Sequence, residues 1–167
     1  MCHHAISQVV ARTRFWQSRH TGVNTNPNLP LVLHVEDDDG DARIVVRSLA
    51  HSPYKVRIVR LISVPEALSM IDAIGDGSFE RPMMILLDLG LPRGNGVDVL
   101  KAVKEAESLR DVPVVILTGS DKDEDRTACA EAGCDDFLVK PMDYNDLVRS
   151  MNDLCGRFLA VPQPVVA

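Results

Sequence analysis

The sequence predicts an α/β fold, a doubly wound parallel sheet with helices on both faces. Apolar runs alternate five times with segments of helical periodicity, so a β-α unit is repeated five times. The runs Met83–Leu87 and Val112–Leu117 are continuously apolar, as strands buried on both faces of a parallel sheet must be. The 167 residues are close to the length of one domain, and 46% apolar residues are enough to build one core.

Five predicted strands alternate with five predicted helices. The strands are Leu31–Glu36, Val56–Leu61, Met83–Asp88, Val112–Thr118 and Asp136–Lys140. The helices are Asp41–Ala50, Val64–Ile74, Gly96–Ala106, Asp123–Ala132 and Asp143–Leu159. Ser63 and Asp143 stand where side chains cap helix starts, and Gly133 stands where a glycine ends a helix. The fifth helix has the clearest apolar stripe, formed by Tyr144, Leu147, Val148, Met151, Leu154, Cys155 and Phe158.

The two ends of the chain differ in character from its middle. We expect a domain at residues 31–159, a C-terminal tail at 160–167, and an N-terminal extension at 1–30 that is flexible or partly helical. Asn and Pro residues at 24–30 form a linker-like stretch. One side of a short helix could be lined by Ile6, Val9, Val10, Phe15 and Trp16. The alternative is an extension that docks nowhere, and Cys2, His3 and His4 lack the fourth ligand of a metal site.

Composition excludes several classes of function. The net charge of −6 and the absence of a long Lys/Arg run argue against binding to nucleic acid or to an anionic membrane surface. The apolar runs are far shorter than the roughly 20 residues that span a bilayer, and no signal-peptide pattern opens the chain. We therefore expect a cytoplasmic protein. The cysteines lack disulfide or metal spacing and are interpreted as reduced: Cys2, Cys129, Cys134 and Cys155.

Polar groups follow four of the five predicted strands. Glu36 and Asp37 end the first, Asp88 the third, Thr118 the fourth and Lys140 the fifth. The carboxyl ends of parallel strands share one edge of the sheet, so we expect these groups to converge. Three neighbouring carboxylates repel one another unless a cation neutralises them, and Mg²⁺ takes a few carboxylates while it retains waters. The sequence therefore predicts a magnesium site.

Asp88 has the chemistry of a phosphoryl acceptor. Its carboxyl group is ionised at neutral pH, because an ordinary aspartate has a pKa of about 3.9, so it can attack phosphorus without a general base. Lys140 would supply a positive charge and Thr118 a hydrogen bond to the phosphoryl oxygens, and Gly119 leaves the approach open. Each residue alone also has a structural interpretation, as a helix cap, a surface charge or a strand residue. Their occurrence together favours the functional interpretation.

Four stretches of this sequence carry a family pattern: Val35-Glu36-Asp37-Asp38, Leu86-Leu87-Asp88-Leu89-Gly90-Leu91-Pro92 with Gly96 following, Leu117-Thr118-Gly119-Ser120, and Ala132-Gly133-Cys134-Asp135-Asp136-Phe137-Leu138-Val139-Lys140-Pro141. Thr118 lies 30 residues after Asp88, and Lys140 lies 22 residues after Thr118. The pattern resembles the receiver domains of two-component response regulators and covers roughly Leu31 to Leu159. The resemblance implies a flavodoxin-like sheet with the strand order 2-1-3-4-5 and five flanking helices.

The resemblance also implies roles for the site residues. Asp88 would be the phosphoacceptor, and Asp37, Asp88 and the backbone carbonyl of Gly90 would bind Mg²⁺ directly. Glu36 would act through a metal-bound water. Mn²⁺ or Ca²⁺ would be able to substitute for Mg²⁺.

The same resemblance implies a conformational switch at Thr118 and Phe137 and a cis peptide bond before Pro141. Thr118 would move toward the phosphoryl group and Phe137 would turn inward behind it, which alters the face made by the fourth helix, fifth strand and fifth helix. Many members carry Tyr where this chain has Phe137, so this chain has no hydroxyl at that position for an output that depends on one. The Lys140–Pro141 bond is expected to be cis.

Within the family, the stretches at 36–43, 75–82 and 91–96 resemble stand-alone regulators paired with bacterial phytochrome histidine kinases. The expected partners are therefore a histidine kinase, with a bacteriophytochrome as the candidate, and a second copy docked through the fourth-to-fifth element face. No DNA-binding output domain is expected in the 27 residues after Lys140, and no nucleic acid or membrane partner.

Two rival functions come from other classes. A phosphatase of the haloacid dehalogenase type also uses a strand-end Asp beside Mg²⁺, but it needs a second Asp where this chain has Gly90. A degenerate receiver would act as a pure interaction module, yet Glu36, Asp37, Asp88, Thr118 and Lys140 are all present. A P-loop motif is absent. We therefore expect a phosphoacceptor signalling protein rather than an enzyme.

Overall fold

The computed structural model describes residues 6–12 and 26–159, and these contain one five-stranded parallel sheet. The strands lie in the order β2-β1-β3-β4-β5, so the predicted fold class and strand order are confirmed. The strands are β1 (Leu31–Val35), β2 (Arg57–Leu61), β3 (Met84–Leu87), β4 (Val114–Thr118) and β5 (Asp136–Val139). Each is one or two residues shorter than the strand predicted for it, and all of the polar strand-end residues except Thr118 lie just outside the ladder.

Five helices alternate with these strands. They are α1 (Asp39–Ala50), α2 (Val64–Gly75), α3 (Gly96–Glu105), α4 (Asp123–Glu131) and α5 (Tyr144–Phe158). The side chain of Ser63 accepts a hydrogen bond from the Glu66 amide at the start of α2, and Asp143 does the same for two amides at the start of α5. Gly133 follows α4 with a φ of 86°, a left-handed conformation that glycine adopts without strain.

Two apolar layers cover the two faces of the sheet. Residues of α2, α3 and α4 pack on one face together with inward side chains such as Leu33 and Val35. Residues of α1 and α5 pack on the other face against Val32 and Leu86. Alternate residues of β1 therefore enter different layers, as the period of two along a strand requires. This double burial holds the strands rigid, so their carboxyl ends keep a defined geometry.

Residues 6–12 form an additional helical segment, here called the N-terminal helix. Ile6 and Val9 are buried in the same layer as α2, and the Arg12 guanidinium donates two hydrogen bonds to Glu66 at 2.5 and 2.7 Å. An extension that docks nowhere is therefore the wrong description of these seven residues. Phe15, Trp16, the Cys2-His3-His4 cluster and the tail at 160–167 lie outside the described residues.

Three cysteines lie within the described residues, and none of them is bridged. Cys129 and Cys155 are buried, and burial raises the pKa of each thiol to about 11. Cys134 is only half-buried. None of the helices described is long and apolar enough to cross a membrane.

Candidate functional site

The carboxyl edge of the sheet brings several of the predicted site residues to one open cavity of about 550 Å³. Its lining includes Asp88 after β3, Thr118 at the end of β4 and Lys140 after β5, together with Gly90 and Gly119. Each of these residues lies at the end of a strand or within three residues of one, so the sheet positions all of them. The neighbouring carboxyl ends of β1 and β3, where the strand order reverses, are the usual ligand position in such sheets.

Three carboxylates meet beside this cavity. Glu36, Asp37 and Asp88 each offer an oxygen that lies within 4.8 Å of the others. Glu36 is buried at 1% exposure, Asp88 is 9% exposed, and Asp37 faces solvent. This is the cluster that the strand-end pattern predicted.

Lys140 connects two members of this cluster. Its Nζ atom lies 2.7 Å from Glu36 Oε2, 3.0 Å from Asp88 Oδ2 and 2.6 Å from Asp41 Oδ2. Burial would lower the pKa of the lysine, but the hydrogen bonds to these carboxylates outweigh it and raise that pKa above its ordinary value. Lys140 is therefore a permanent cation at the centre of the site.

Asp88 is kept ionised by its neighbours. Burial would raise the pKa of Asp88, yet hydrogen bonds from Lys140, from the Gly90 amide at 3.2 Å and from the Thr118 hydroxyl outweigh it. The pKa of Asp88 is consequently below its ordinary value, and the group is a carboxylate at neutral pH. It has an anionic oxygen ready to attack an electrophile without prior loss of a proton.

Glu36 has the opposite shift. Burial raises the pKa of Glu36 above its ordinary value, and neither Lys140 nor the Asp38 amide, which donates to Glu36 Oε1 at 3.0 Å, fully offsets this. Nearby Asp88 adds to the rise. A deeply buried carboxylate of this kind is stabilised as an anion by a bound cation.

Local sequence explains why neighbouring acidic residues differ in role. The Asp38 side chain accepts a hydrogen bond from the Asp41 amide at 2.8 Å and caps α1, so it is used in starting the helix.

At the start of α3, a Cβ atom on Gly96 would collide with the backbone carbonyl of Asp88. Glycine at this position therefore lets α3 approach the site closely.

The cis prediction for the Lys140–Pro141 bond is wrong. No peptide bond in the described part of the chain is cis. The trans form is favoured by about 0.5–1 kcal/mol unless the surroundings select against it. Lys140 reaches Glu36, Asp41 and Asp88 with the trans bond, so its orientation does not require the cis isomer.

The Phe137 ring is half-buried in β5, behind the site. The Arg126 guanidinium of α4 lies 4.5 Å from the centre of this ring, within the range of a cation–π contact. The other edge of β5 is tied to α5, because Arg157 forms an ion pair with Asp136 at 2.6 Å. Phe137 thus lies beside its β4 register partner Ile116 on one side and beside Arg126, on the face made by α4, β5 and α5, on the other.

Two site residues were missed by sequence reasoning. Asp41 is the third carboxylate that contacts Lys140. Arg60 lies buried beneath residues 36–38, the segment that follows β1, here called the acidic loop. Asp41 is an acidic residue in the first turn of α1, and Arg60 is a charged residue among apolar ones near the end of β2, so both positions carried a signal. Their partners, however, come from distant parts of the chain.

The donor set fits a hard divalent cation. Three convergent carboxylates carry more negative charge than Lys140 alone balances, and oxygen ligands suit Mg²⁺, Mn²⁺ or Ca²⁺ rather than softer ions. The Gly90 amide already contacts Asp88, which places this residue at the site, while its carbonyl as a ligand stays a prediction.

Comparison with known proteins agrees with this fold. The model of the response regulator receiver domain matches residues 32–152, and the chain belongs to this family. The match begins at the second residue of β1, covers the other four strands in full and includes every predicted site residue. The general class predicted from the sequence is therefore confirmed.

Three solved structures show which relatives this chain is similar to. The phosphorylated cyanobacterial phytochrome response regulator RcpA is 26% identical with a TM-score of 0.72, over 79% of this chain and 95% of that one. The Mn²⁺-bound response regulator Rcp1 is 30% identical with a TM-score of 0.70, over 81% and 99%. The bacteriophytochrome response regulator AtBRR is 33% identical with a TM-score of 0.64, over 81% and 98%. The predicted resemblance to phytochrome-associated regulators is thus confirmed.

Proposed function

We propose that this protein is a single-domain response regulator that accepts a phosphoryl group on Asp88 from the phosphohistidine of a histidine kinase. The observation that carries the proposal is the ionised Asp88 carboxylate, which shares Lys140 with Glu36 at the sheet edge. Family membership supports a signalling role, and we infer that the protein promotes only its own phosphorylation and dephosphorylation.

The proposed transfer needs positioning and charge rather than a base. An Asp88 oxygen forms the new bond to phosphorus while the P–N bond to the donor imidazole breaks, and the electron pair stays on that nitrogen. Lys140 exchanges its contact with Asp88 for one with a phosphoryl oxygen, and the Thr118 hydroxyl donates to another. Such stabilisation of the transferring group is the main requirement of phosphoryl transfer.

Glu36, Asp37, Asp88 and the Gly90 carbonyl are the proposed holders of Mg²⁺. When bound, the ion neutralises the carboxylates and the phosphoryl oxygens. The Mn²⁺-bound state of the neighbour Rcp1 supports a divalent cation here, and Mn²⁺ or Ca²⁺ is the proposed substitute.

We propose that phosphorylation is read at the α4–β5–α5 face. Thr118 is buried beside Asp88, and Phe137 lies on the adjacent strand under Arg126. A shift of Thr118 toward the phosphoryl group would free space into which the Phe137 ring turns. This face is also the proposed surface for a homodimer, in the cytoplasm and without nucleic acid or membrane as partner.

A phytochrome-type histidine kinase is the proposed donor. The support is the likeness to RcpA and AtBRR, whose names associate them with phytochromes. A phosphatase of the haloacid dehalogenase type is disfavoured, because Gly90 offers no acid/base side chain two residues after Asp88. A degenerate receiver is disfavoured by the complete carboxylate and lysine set.

The test is incubation of the protein with a small acyl phosphate or phosphoramidate and Mg²⁺, followed by intact mass. We expect the wild type to gain one phosphoryl group and Asp88→Asn to gain none, while chelation of the metal abolishes the gain. Asp98→Asn in α3 serves as the control and should behave as wild type. Equal gain in Asp88→Asn and wild type would contradict the assignment of Asp88.

A further inference from the structure

Arg60 is a buried arginine at the carboxyl end of β2. It is 4% exposed although the rest of the strand is apolar apart from Arg57 at the other end. In the register of the sheet it pairs with His34 of β1, two residues before Glu36. Burial of an arginine raises the free energy of the folded state unless its hydrogen-bond donors have partners, so the partners of Arg60 indicate its role.

Those contacts converge on the acidic loop that follows β1. The Nε atom of Arg60 donates to the Glu36 carbonyl at 2.8 Å, and one terminal nitrogen donates to the Asp37 carbonyl at 2.7 Å. The other terminal nitrogen is paired with the Asp39 carboxylate. The planar guanidinium thus fixes two successive carbonyls at once, which a lysine cannot do with a single ammonium group.

The loop is held at its start and end as well. The Glu36 amide donates to the Leu61 carbonyl at 2.8 Å, next to Arg60 on β2. The Asp38 amide donates to Glu36 Oε1, and Asp38 caps α1. Arg60 supplies the remaining restraint, on the two peptide planes between these points, and so determines the direction in which the Glu36 and Asp37 side chains leave the backbone.

The positive charge of Arg60, taken alone, would weaken the binding of a metal ion at the acidic loop. A cation beneath the acidic loop lowers the negative potential that attracts Mg²⁺. Any increase in metal affinity that depends on Arg60 must therefore come from the geometry of the loop. The two explanations predict opposite results when the charge is removed.

We infer that Arg60 is a positioning residue for Glu36 and Asp37, two of the proposed holders of Mg²⁺, and that it acts through their backbone carbonyls. This inference rests on the magnesium site of the proposed function. Outer contacts that orient ligands typically change metal affinity by about 10–100-fold when they are removed.

Two substitutions separate geometry from charge. Arg60→Lys keeps the positive charge but loses the planar guanidinium that bonds both carbonyls. Arg60→Met loses the charge and the guanidinium. We expect Mg²⁺ titrated calorimetrically into the metal-free proteins to bind about tenfold more weakly to each variant than to wild type. An unchanged affinity in Arg60→Lys, or a tighter affinity in Arg60→Met, would overturn the inference.

Arg57 offers a matched control on the same strand. It forms a two-bond ion pair with Glu80 at the end of β2 away from the acidic loop. We expect Arg57→Lys to leave Mg²⁺ affinity unchanged. A loss of affinity as large as that of Arg60→Lys would mean that β2 as a whole, and not the contact with the carbonyls, matters.

A measurement on the wild type avoids variants that fail to fold. During a Mg²⁺ titration followed by NMR, the Arg60 Nε–H signal should shift together with the Asp37 and Asp38 amides, while the Arg57 Nε–H signal stays still. A stationary Arg60 signal would overturn the inference. Absence of any Mg²⁺ binding by wild type would instead contradict the proposed function itself.

Discussion

At the scale of single residues, the site is a balance between buried carboxylates and one lysine. Lys140 is the cation that Glu36, Asp41 and Asp88 share within 3.0 Å. Removal of one partner from a buried ion pair is strongly destabilising, because the remaining charge has no compensation. A divalent cation held by Glu36 and Asp88 would supply part of that compensation.

The first prediction concerns Lys140→Met. We expect the free energy of unfolding of the metal-free protein to fall by about 3 kcal/mol, because Glu36 and Asp88 lose their shared cation. Addition of Mg²⁺ should stabilise this variant more than it stabilises wild type, because the bound ion replaces the cation that Glu36 and Asp88 have lost. Binding to the folded state then appears as added stability. Urea denaturation with and without Mg²⁺ measures both effects.

Lys104 provides the control for this prediction. Its side chain is as exposed as that of Lys140, 18% in each case, and it is paired with Asp135 away from the cavity. Lys104→Met should lose stability to the same extent with and without Mg²⁺. If Lys140→Met shows no greater response to Mg²⁺ than Lys104→Met, the site does not hold the ion beside Lys140.

His34 gives the fold a sensitivity to acid. Burial in β1, with smaller contributions from Arg60 and Lys140, lowers the pKa of His34 to about 3, while nearby Asp88 acts in the opposite direction. Within the described residues its Nδ1 atom has no hydrogen-bond partner. In the unfolded chain a histidine has a pKa of about 6.5, so between pH 6.5 and pH 3 the unfolded state binds a proton that the folded state does not.

The second prediction follows from this difference. Between pH 7 and pH 5 in metal-free buffer, the unfolding free energy of wild type should fall by about 2 kcal/mol more than that of His34→Leu, which has no proton to bind. Denaturation curves at both pH values measure this. Parallel pH profiles of the two proteins would show that His34 is not kept neutral by the fold.

At the scale of secondary structure, the sequence was most informative where burial has a simple pattern. The continuously apolar runs identified β3 and β4 because both faces of these strands are covered. Ser63 and Asp143 identified the starts of α2 and α5 because their side chains satisfy free amides. The strand ends were placed too late at Asp88 and Lys140, since apolar and polar runs do not show where the ladder stops.

Tertiary contacts were beyond the sequence. Asp41 meets Lys140 across 99 positions, and Arg60 meets the Glu36 carbonyl across 24, and neither pairing has a local signature. The expected cis bond before Pro141 was taken from the family rather than from local chemistry, and the trans bond already brings Lys140 to its partners. Site residues were thus predictable as types at strand ends, but their partners were not.

The third prediction tests the docking of the N-terminal helix. Val9 is buried against the α2 layer, while its neighbour Gln8 is exposed. Burial of an unpaired carboxylate is unfavourable, so Val9→Asp should lower the unfolding free energy by about 2 kcal/mol. Gln8→Asp should change it by less than about 0.5 kcal/mol. Equal effects of the two substitutions on urea denaturation would indicate that the helix does not dock.

At the scale of the whole molecule, one rigid sheet links two regions. The carboxyl edge holds the carboxylates and Lys140, and β4 and β5 run from this edge to the α4–β5–α5 face. Thr118 and Val139 are register partners at the shared end of those strands, and Phe137 lies two residues back along β5. A change at Asp88 thus has a short, packed route to the proposed output face.

The most direct test of the central claim is chemical trapping of the phosphorylated residue. Reduction of an aspartyl phosphate with borohydride converts that aspartate into homoserine, which peptide mass spectrometry locates. After phosphorylation by a small phosphodonor with Mg²⁺, we predict homoserine at position 88 and nowhere else. Homoserine at Asp37 or Asp41 with Asp88 intact would contradict the account, and so would a stable phosphate on a histidine or serine.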